Sequence, residues 1–366
     1  MSCLLCGHLK LIKILSKNTF KEISSSCNQL NTSSEIFICK KCSLIQKKIT
    51  SSFESKIHKI YSNYKIYHLG NRKDNKSFSN KKIFNRSEFI IKKIKEKIQL
   101  PKFGNMLDYG SSTGFGAFTF KKKFSRWKTY AYEKYQKNRN SDSIFLSETS
   151  IRKKSFDLIY LSHVFEHFLK PRQEIYNISN MLKNDGILVI QVPYFKENFF
   201  DIFVADHCMH LEKKEIKKFF LSKNFKIIHL NNDIIKHELT IILKKNKKKK
   251  QKKIFKFDIS KKKEIIKNKL IKLKIKLENI PKDKKIIIFG TGISSSWLAQ
   301  EIKNKNDYYI DEDANKIGKR LKNKEIILPK KNWYEKNKYI MIVALPNPLK
   351  KKVIDSYKKK IKIYSI

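Results

Sequence analysis

The sequence predicts an α/β protein in three parts, and three observations carry that prediction. Asn105-Met-Leu-Asp-Tyr-Gly-Ser-Ser-Thr-Gly-Phe-Gly-Ala117 is a short apolar strand that runs into a glycine-bearing turn and then a helix. Lys284-Lys-Ile-Ile-Ile-Phe-Gly-Thr-Gly-Ile-Ser-Ser295 repeats that order near the C-terminus. Ahead of both, Cys3-Leu-Leu-Cys6 and Cys39-Lys-Lys-Cys42 form two Cys-x-x-Cys pairs separated by 32 residues. A strand–glycine–helix unit is how Rossmann-like folds begin, because a glycine lets the chain turn sharply and lets a ligand approach the free N–H groups of the next helix. The expected divisions are a cysteine module at 1–80, a first Rossmann-like domain at 81–243, a basic linker and helix at 244–283, and a smaller Rossmann-like domain at 284–366.

With 366 residues, 40% of them hydrophobic, the chain can build several cores and is not a disordered protein. Its net charge of +49 comes from 82 Lys+Arg against 33 Asp+Glu. Taken alone, that charge points to nucleic acid or an anionic surface. The excess is mostly lysine spread through every segment, beside abundant Ile, Asn, Phe and Tyr, all residues of AT-rich codons, so it reads as drift in base composition. No run of 18 apolar residues exists, which predicts no membrane span. Met1-Ser-Cys-Leu-Leu-Cys6 leads straight into the cysteine motif without the basic and apolar regions of a signal peptide, so a cytoplasmic location is expected.

In the N-terminal module, Cys3, Cys6, Cys39 and Cys42 have the spacing of a zinc site. Four thiolates close a tetrahedral shell and leave no position for a catalytic water, so the zinc would be structural. The alternatives are reduced, unliganded pairs or a redox motif. Cys27 falls outside the pattern, and Leu9 to Phe20 and Glu35 to Phe37 supply candidate strands of a ribbon. Residues 70–84 are polar and read as a linker. Ser87 to Ile98 carries apolar residues near the helical period, and Pro101 ends it before the glycine loop.

In that loop Asp108 ends the strand, Gly110 and Gly114 open the turn, and Glu133 follows 25 residues after Asp108 at the end of the apolar run Thr129-Tyr-Ala-Tyr-Glu133. An acid there can accept both hydroxyls of a ribose. The stretch resembles motif I of class I S-adenosylmethionine-dependent methyltransferases, with Ser112 in place of the middle glycine. Ser155-Phe-Asp-Leu-Ile-Tyr-Leu-Ser-His-Val-Phe-Glu-His167 resembles that family's fourth strand and the helix after it, and Met181-Leu-Lys-Asn-Asp-Gly-Ile-Leu-Val-Ile-Gln-Val-Pro193 resembles its fifth-strand segment. The resemblance implies S-adenosylmethionine as cofactor, held by Asp108, Gly110, Ser112, Gly114 and Glu133.

Zinc knuckles in front of such a core resemble a narrower group, the sugar C-methyltransferases, which carry an N-terminal zinc-binding module, a central methyltransferase domain and a C-terminal nucleotide-binding-like domain. Cys42-Ser-Leu-Ile-Gln46 and Tyr61-Ser-Asn-Tyr64 also resemble that group, although either tyrosine ring could simply cover the core. The resemblance implies a nucleotide-linked deoxysugar as acceptor, methylated at carbon or else at oxygen or nitrogen. It matches His167 to a histidine lining the substrate pocket. In Phe200-Asp-Ile-Phe-Val-Ala-Asp-His207 it matches His207 to the base and Asp206 to the acid beside it, while Val204 and Ala205 replace the group's tyrosine and first histidine. His163, Glu166 and His167 fall at i, i+3 and i+4, so at a helix start they would face one way, toward a metal, a substrate or local hydrogen bonds. His210 reads as a surface residue.

Lys244 to Lys253 is lysine apart from Asn246 and Gln251, and reads as a boundary. Ser260 to Ile280 follows as a helix striped by Ile266, Leu270, Leu273, Leu277 and Ile280, to be packed on a neighbouring domain or paired with a second chain. The unit after it, with acids at Tyr308-Tyr-Ile-Asp-Glu-Asp313, resembles the C-terminal domain of the sugar enzymes, which helps hold the substrate nucleotide; a packing or dimerisation role is the alternative. The sequence thus predicts a Rossmann-like class I methyltransferase domain with an N-terminal zinc ribbon and a second, smaller C-terminal Rossmann-like domain. Two rival functions stand beside it: an RNA methyltransferase using the ribbon and the lysines, and a non-catalytic binding protein whose cofactor loop has decayed at Ser112.

Overall fold

The computed structural model describes residues 1–62, 76–79, 82–135, 142–246, 255–329, 338–347 and 349–366. Tyr64, most of the expected linker at 70–84 and most of the lysine run before Lys253 lie outside the described residues.

The central domain is built on a seven-stranded sheet in the order Ile144–Phe145, Lys128–Tyr132, Asn105–Tyr109, Phe156–Ser162, Leu182–Pro193, Glu238–Lys245, Phe225–Asn231. Neighbours run parallel up to Leu182–Pro193, and Glu238–Lys245 is antiparallel to both of its own neighbours. The inner strands Phe156–Ser162 and Glu238–Lys245 are buried along nearly their whole length because both faces are covered, and successive side chains go to opposite sides. Met106, Leu158, Tyr160, Val189 and Ile242 pack with Ile90, Ile91 and Ile94 of the helix Arg86–Lys97 and with Phe120 of the helix Phe115–Lys123. Leu107, Ile159, Leu161, Leu188, Ile190 and Ile241 face the helices Pro171–Met181 and Lys213–Leu221 through Ile175, Ile178, Phe219 and Phe220.

The helix expected directly after Ser162 does not form there. His163 takes a left-handed φ of 55° that breaks the chain direction after the strand, Phe165–His167 is a single 3₁₀ turn, and the α-helix begins only at Pro171, whose fixed φ suits a first helical position. His163 and His167 therefore do not share a helix face.

In the N-terminal module Leu11–Leu15, Ile36–Cys39 and Ile45–Lys47 form an antiparallel sheet, and its fourth strand, Met209–His210, comes from the central domain. A hairpin, Glu22–Ile23 with Gln29–Leu30, leans on the same domain, where Ile23 bridges Val204. The C-terminal sheet runs Arg320–Leu321, Lys324–Ile327, Asn306–Ile310, Lys285–Phe289, Tyr339–Val343, Lys362–Ser365, parallel except for its first pair.

The long helix Ile259–Glu278 is capped by Asp258, which accepts from the Lys261 N–H at 2.9 Å. Its Ile266, Leu270 and Leu273 are buried in one cluster with Ile14, Ile36 and Ile38 of the N-terminal module and with Ile286 and Trp297 of the C-terminal domain, so its stripe is covered within the chain. Trp297 also stacks flat on Phe203 at 4.4 Å, which ties the C-terminal domain to the segment that carries His207. Among the described residues no helix is long and apolar enough to cross a membrane.

Candidate active site

The glycine loop holds its shape through three residues with left-handed backbones: Gly110 at φ 74°, Ser112 at 53° and Gly114 at 84°. Glycine takes this region freely, whereas serine takes it at a cost of about 1 kcal/mol. The middle position thus keeps the conformation a glycine would have despite carrying a side chain. Gly110 and Ser111 donate their N–H groups to the Tyr132 carbonyl at 2.8 and 3.0 Å, folding the loop back on the second strand. Ser112 N–H donates to Glu133 Oε2 at 2.8 Å, and Tyr135 N–H donates to Glu133 Oε1 at 3.0 Å. Glu133 is therefore anchored beside the loop, with lone pairs left on both oxygens.

Asp108 is buried, and its Oδ2 accepts from Ala117 N–H at 3.0 Å in the first turn of the helix Phe115–Lys123. Burial, assisted by the charge of Glu133 and opposed by that hydrogen bond, pushes its pKa up to about 7. A side chain at Gly116 would collide with the same carboxylate, which explains the glycine there. The hydroxyls of Ser111 and Ser112 are buried without a hydrogen-bond partner among the described residues. Unpaired buried hydroxyls cost free energy, so this donor set suits a polar ligand with acceptors of its own, as the ribose and methionine parts of S-adenosylmethionine are.

Beyond the loop lies a second constellation. The rings of His167 and His207 meet edge to face at 4.6 Å between centroids. His207 Nδ1 is 2.6 Å from Asp201 Oδ1, and His210 Nδ1 is 2.7 Å from Asp201 Oδ2. Since a carboxylate can only accept, each Nδ1 carries the hydrogen, and Nε2 of a neutral His207 keeps its lone pair. Burial disfavours charge on His207, but the Asp201 carboxylate outweighs it and raises the pKa above the usual histidine value. His167 is lowered instead, by burial first and by the neighbouring His207 second. Its Nδ1 lies 2.9 Å from both the Asp206 backbone oxygen and the Tyr61 hydroxyl.

Three expectations change here. The carboxylate that supports His207 is Asp201, not the adjacent Asp206, because Asp206 points away toward Ser25 and His167. His210 is fully buried, not a surface residue, since it sits on the strand added to the N-terminal sheet and fills the second oxygen of Asp201. Tyr61 does more than cover the core: its ring stacks on Tyr135 at 4.7 Å while its hydroxyl reaches His167. His163, by contrast, is engaged by Glu166 Oε1 at 3.1 Å and Glu238 Oε1 at 3.2 Å. Those two acids outweigh the effect of burial and raise its pKa to about 9. Glu166, His167 and His207 also offer ligand atoms within 4.8 Å of one another. Asp201 stood in the sequence only as part of the stretch Phe200 to His207, with no role given to it, and nothing in the sequence marked Ser25.

At the N-terminus the sulfurs of Cys3, Cys6, Cys39 and Cys42 all lie within 4.8 Å of one another, with Cys3 to Cys42 at 3.5 Å and Cys6 to Cys39 at 3.6 Å. A tetrahedron with zinc–sulfur bonds of about 2.3 Å has edges of about 3.8 Å, so the four sulfurs have the spacing of a closed thiolate shell.

Residues 83–230 match a family model described as "Methyltransferase domain". None of the curated proteins matches the chain. Among solved structures, an S-adenosylmethionine-dependent methyltransferase from Clostridium acetobutylicum shares 15% identity, with 53% of this chain and 99% of that one covered at a TM-score of 0.36. Coclaurine N-methyltransferase bound to N-methylheliamine and SAH shares 16% identity over 50% of this chain and 62% of that chain, with a TM-score of 0.38. Human N-acetylserotonin methyltransferase in complex with SAM shares 13% identity, and the match spans 44% of this chain and about half, 52%, of that chain at a TM-score of 0.36. These likenesses are weak, and the family match carries the assignment. Residues 83–230 are a methyltransferase domain.

Proposed function

We propose that the protein transfers a methyl group to a small-molecule acceptor, a nucleotide-linked deoxysugar, with His207 removing the acceptor proton. The observation that carries the reading is the buried pair of imidazoles whose environments push their pKa values apart, His207 up and His167 down. Such a divergence assigns one ring to proton transfer and leaves the other as a neutral hydrogen-bonding group. When bound, S-adenosylmethionine supplies an electrophilic methyl on a sulfonium. Gly110, Ser112 and Gly114 would shape its cradle, Asp108 holds the first turn of the helix behind it, and Glu133 would accept from its ribose. Asp201 holds the His207 ring so that Nε2 faces away from the carboxylate and can take the proton. His167, oriented by the Asp206 carbonyl and Tyr61, lines the acceptor side. Most of the rate gain then comes from positioning the acceptor in line with the methyl.

The sugar assignment is supported by the three-part organisation, with the cysteine module before and the second strand–glycine–helix unit after the central domain. Carbon methylation is the favoured course. It requires donors at an enolate oxygen; Val204 and Ala205 offer none from their side chains, which keeps oxygen or nitrogen methylation as the alternative. The N-terminal module, in the same reading, holds one structural zinc on Cys3, Cys6, Cys39 and Cys42.

The acceptor chemistry is tested by solvent exchange. With S-adenosylhomocysteine in the cofactor site, an enolising enzyme exchanges the proton beside a sugar ketone with deuterated solvent, and His207→Ala abolishes that exchange. The same variant lowers turnover about 100-fold with cofactor affinity unchanged, as expected of a base that touches only the acceptor. Turnover without exchange points to an oxygen or nitrogen acceptor. A His207→Ala enzyme with parental turnover removes His207 from the mechanism.

A further inference from the structure

The segment just ahead of His207 is gripped from outside its own domain. Ala205 donates its N–H to the Ile23 carbonyl at 2.7 Å. Lys47, fully buried and paired with Glu22 at 2.8 Å, donates to the Val204 carbonyl. Ser25, at the tip of the N-terminal hairpin, donates twice to Asp206: its N–H to Oδ1 at 2.8 Å and its hydroxyl to Oδ2 at 2.6 Å. The tip itself is fixed, with Ser24 and Asn28 closing it at 2.9 Å and the Ser24 and Ser26 hydroxyls joined at 2.9 Å. The oxygen that takes the Ser25 hydroxyl is also 3.4 Å from His167 Nδ1 and 3.5 Å from the Tyr61 hydroxyl. One carboxylate oxygen is thus shared between the hairpin and the acceptor-side histidine.

We propose that Ser25, which lies outside the methyltransferase domain, is a positioning residue of the acceptor site: it clamps the Asp206 carboxylate and through it sets the orientation and charge state of His167. With both oxygens tied to Ser25, the carboxylate cannot rotate fully onto the imidazole. Removing the hydroxyl frees a lone pair that then favours the charged ring. The other groups facing His167 are the His207 ring, the Glu166 carboxylate and the Tyr61 hydroxyl, the last from the helix Ser51–Ser62. Ser25 reaches His167 through Asp206, whose carboxylate takes both Ser25 donors and lies 3.4 Å from His167 Nδ1.

The inference rests on His167 lining the acceptor site, but its test needs no acceptor. Histidine ring signals of the full chain are titrated by NMR, with His167 identified as the signal missing from His167→Gln. Ser25→Ala moves the His167 midpoint upward by about half a pH unit or more, the direction expected when a nearby carboxylate loses a donor. Asp206→Asn moves it downward, the double variant Ser25→Ala/Asp206→Asn titrates like Asp206→Asn alone, and Ser25→Thr, which keeps the hydroxyl, stays near the parent. An unmoved midpoint in Ser25→Ala or in Asp206→Asn overturns the proposal. So does an upward shift that persists in the double variant, because the serine would then act by another route. Calorimetry of S-adenosylmethionine binding on the same samples tests the methyltransferase reading separately.

Discussion

Gly110→Val abolishes S-adenosylmethionine binding. The glycine sits at φ 74°, a region that a β-branched residue enters only under strain, and a side chain there would run into both methyl groups of Val164. Neither can be relieved locally, because Val164 stands two residues after the end of the strand Phe156–Ser162, between the left-handed His163 and the turn Phe165–His167, and the Gly110 N–H is tied to Tyr132 at 2.8 Å. The loop must therefore open, and the Ser112 N–H that meets Glu133 moves with it. Glu133→Ala is the graded counterpart. It removes the proposed ribose acceptor and also the anchor of the Ser112 amide, and is expected to weaken binding by about 1–3 kcal/mol, the order of lost charge-assisted hydrogen bonds. Isothermal titration calorimetry reads both, and parental affinity in both variants contradicts the cradle described above.

The second large effect is on stability. Removing metal from the N-terminal module, by chelation or by Cys39→Ser, is expected to melt that module. Cys3, Cys39 and Cys42 are buried, so an emptied shell leaves thiols facing one another in place of metal bonds. Structural zinc supplies on the order of 10 kcal/mol in isolated finger peptides at neutral pH, more than a short ribbon can replace from its own core. The loss would spread, since Ile45–Lys47 pairs with Met209–His210 and the hairpin holds Val204 to Asp206. Elemental analysis showing one zinc per chain, with a lower melting temperature after chelation, fits this account. A metal-free protein whose melting ignores the chelator does not.

Much of the fold was legible because each central strand obeys a simple rule. Met106 against Leu107, or Leu188 against Val189, shows apolar residues on both faces, which only a sheet covered on both sides can bury. The stripe Ile266, Leu270, Leu273 likewise announced a packed helix, although periodicity could not say what covers it; the answer, two other parts of the chain at once, is a tertiary fact. What escaped the sequence has the same origin. Met209–His210 is a two-residue strand, too short for any alternation to show, and it exists because the ribbon offers an edge. Asp206 stands next to His207 in sequence, yet adjacent side chains point apart, and the Phe199–Phe203 turn delivers Asp201 to the imidazole instead. The i, i+3, i+4 reading of His163, Glu166 and His167 presumed a helix that the left-handed His163 forbids. The cofactor side was read from spacing within one strand–turn–helix unit, and it is local: Gly110, Ser112 and Gly114 share one turn and the Ser112 N–H meets Glu133. The acceptor side gathers residues from four separate stretches, and of these Tyr61, His167, Asp206 and His207 had been marked while Ser25 and Asp201 had not.

The central claim is that this site methylates a nucleotide-linked sugar through His207. It is tested most directly by incubating the full chain with methyl-labelled S-adenosylmethionine and, separately, a panel of nucleotide deoxysugars and RNA. The account predicts label in a nucleotide sugar, lost in His207→Ala and in Gly110→Val. Label that enters RNA alone, or a sugar labelled equally well by His207→Ala, would contradict it.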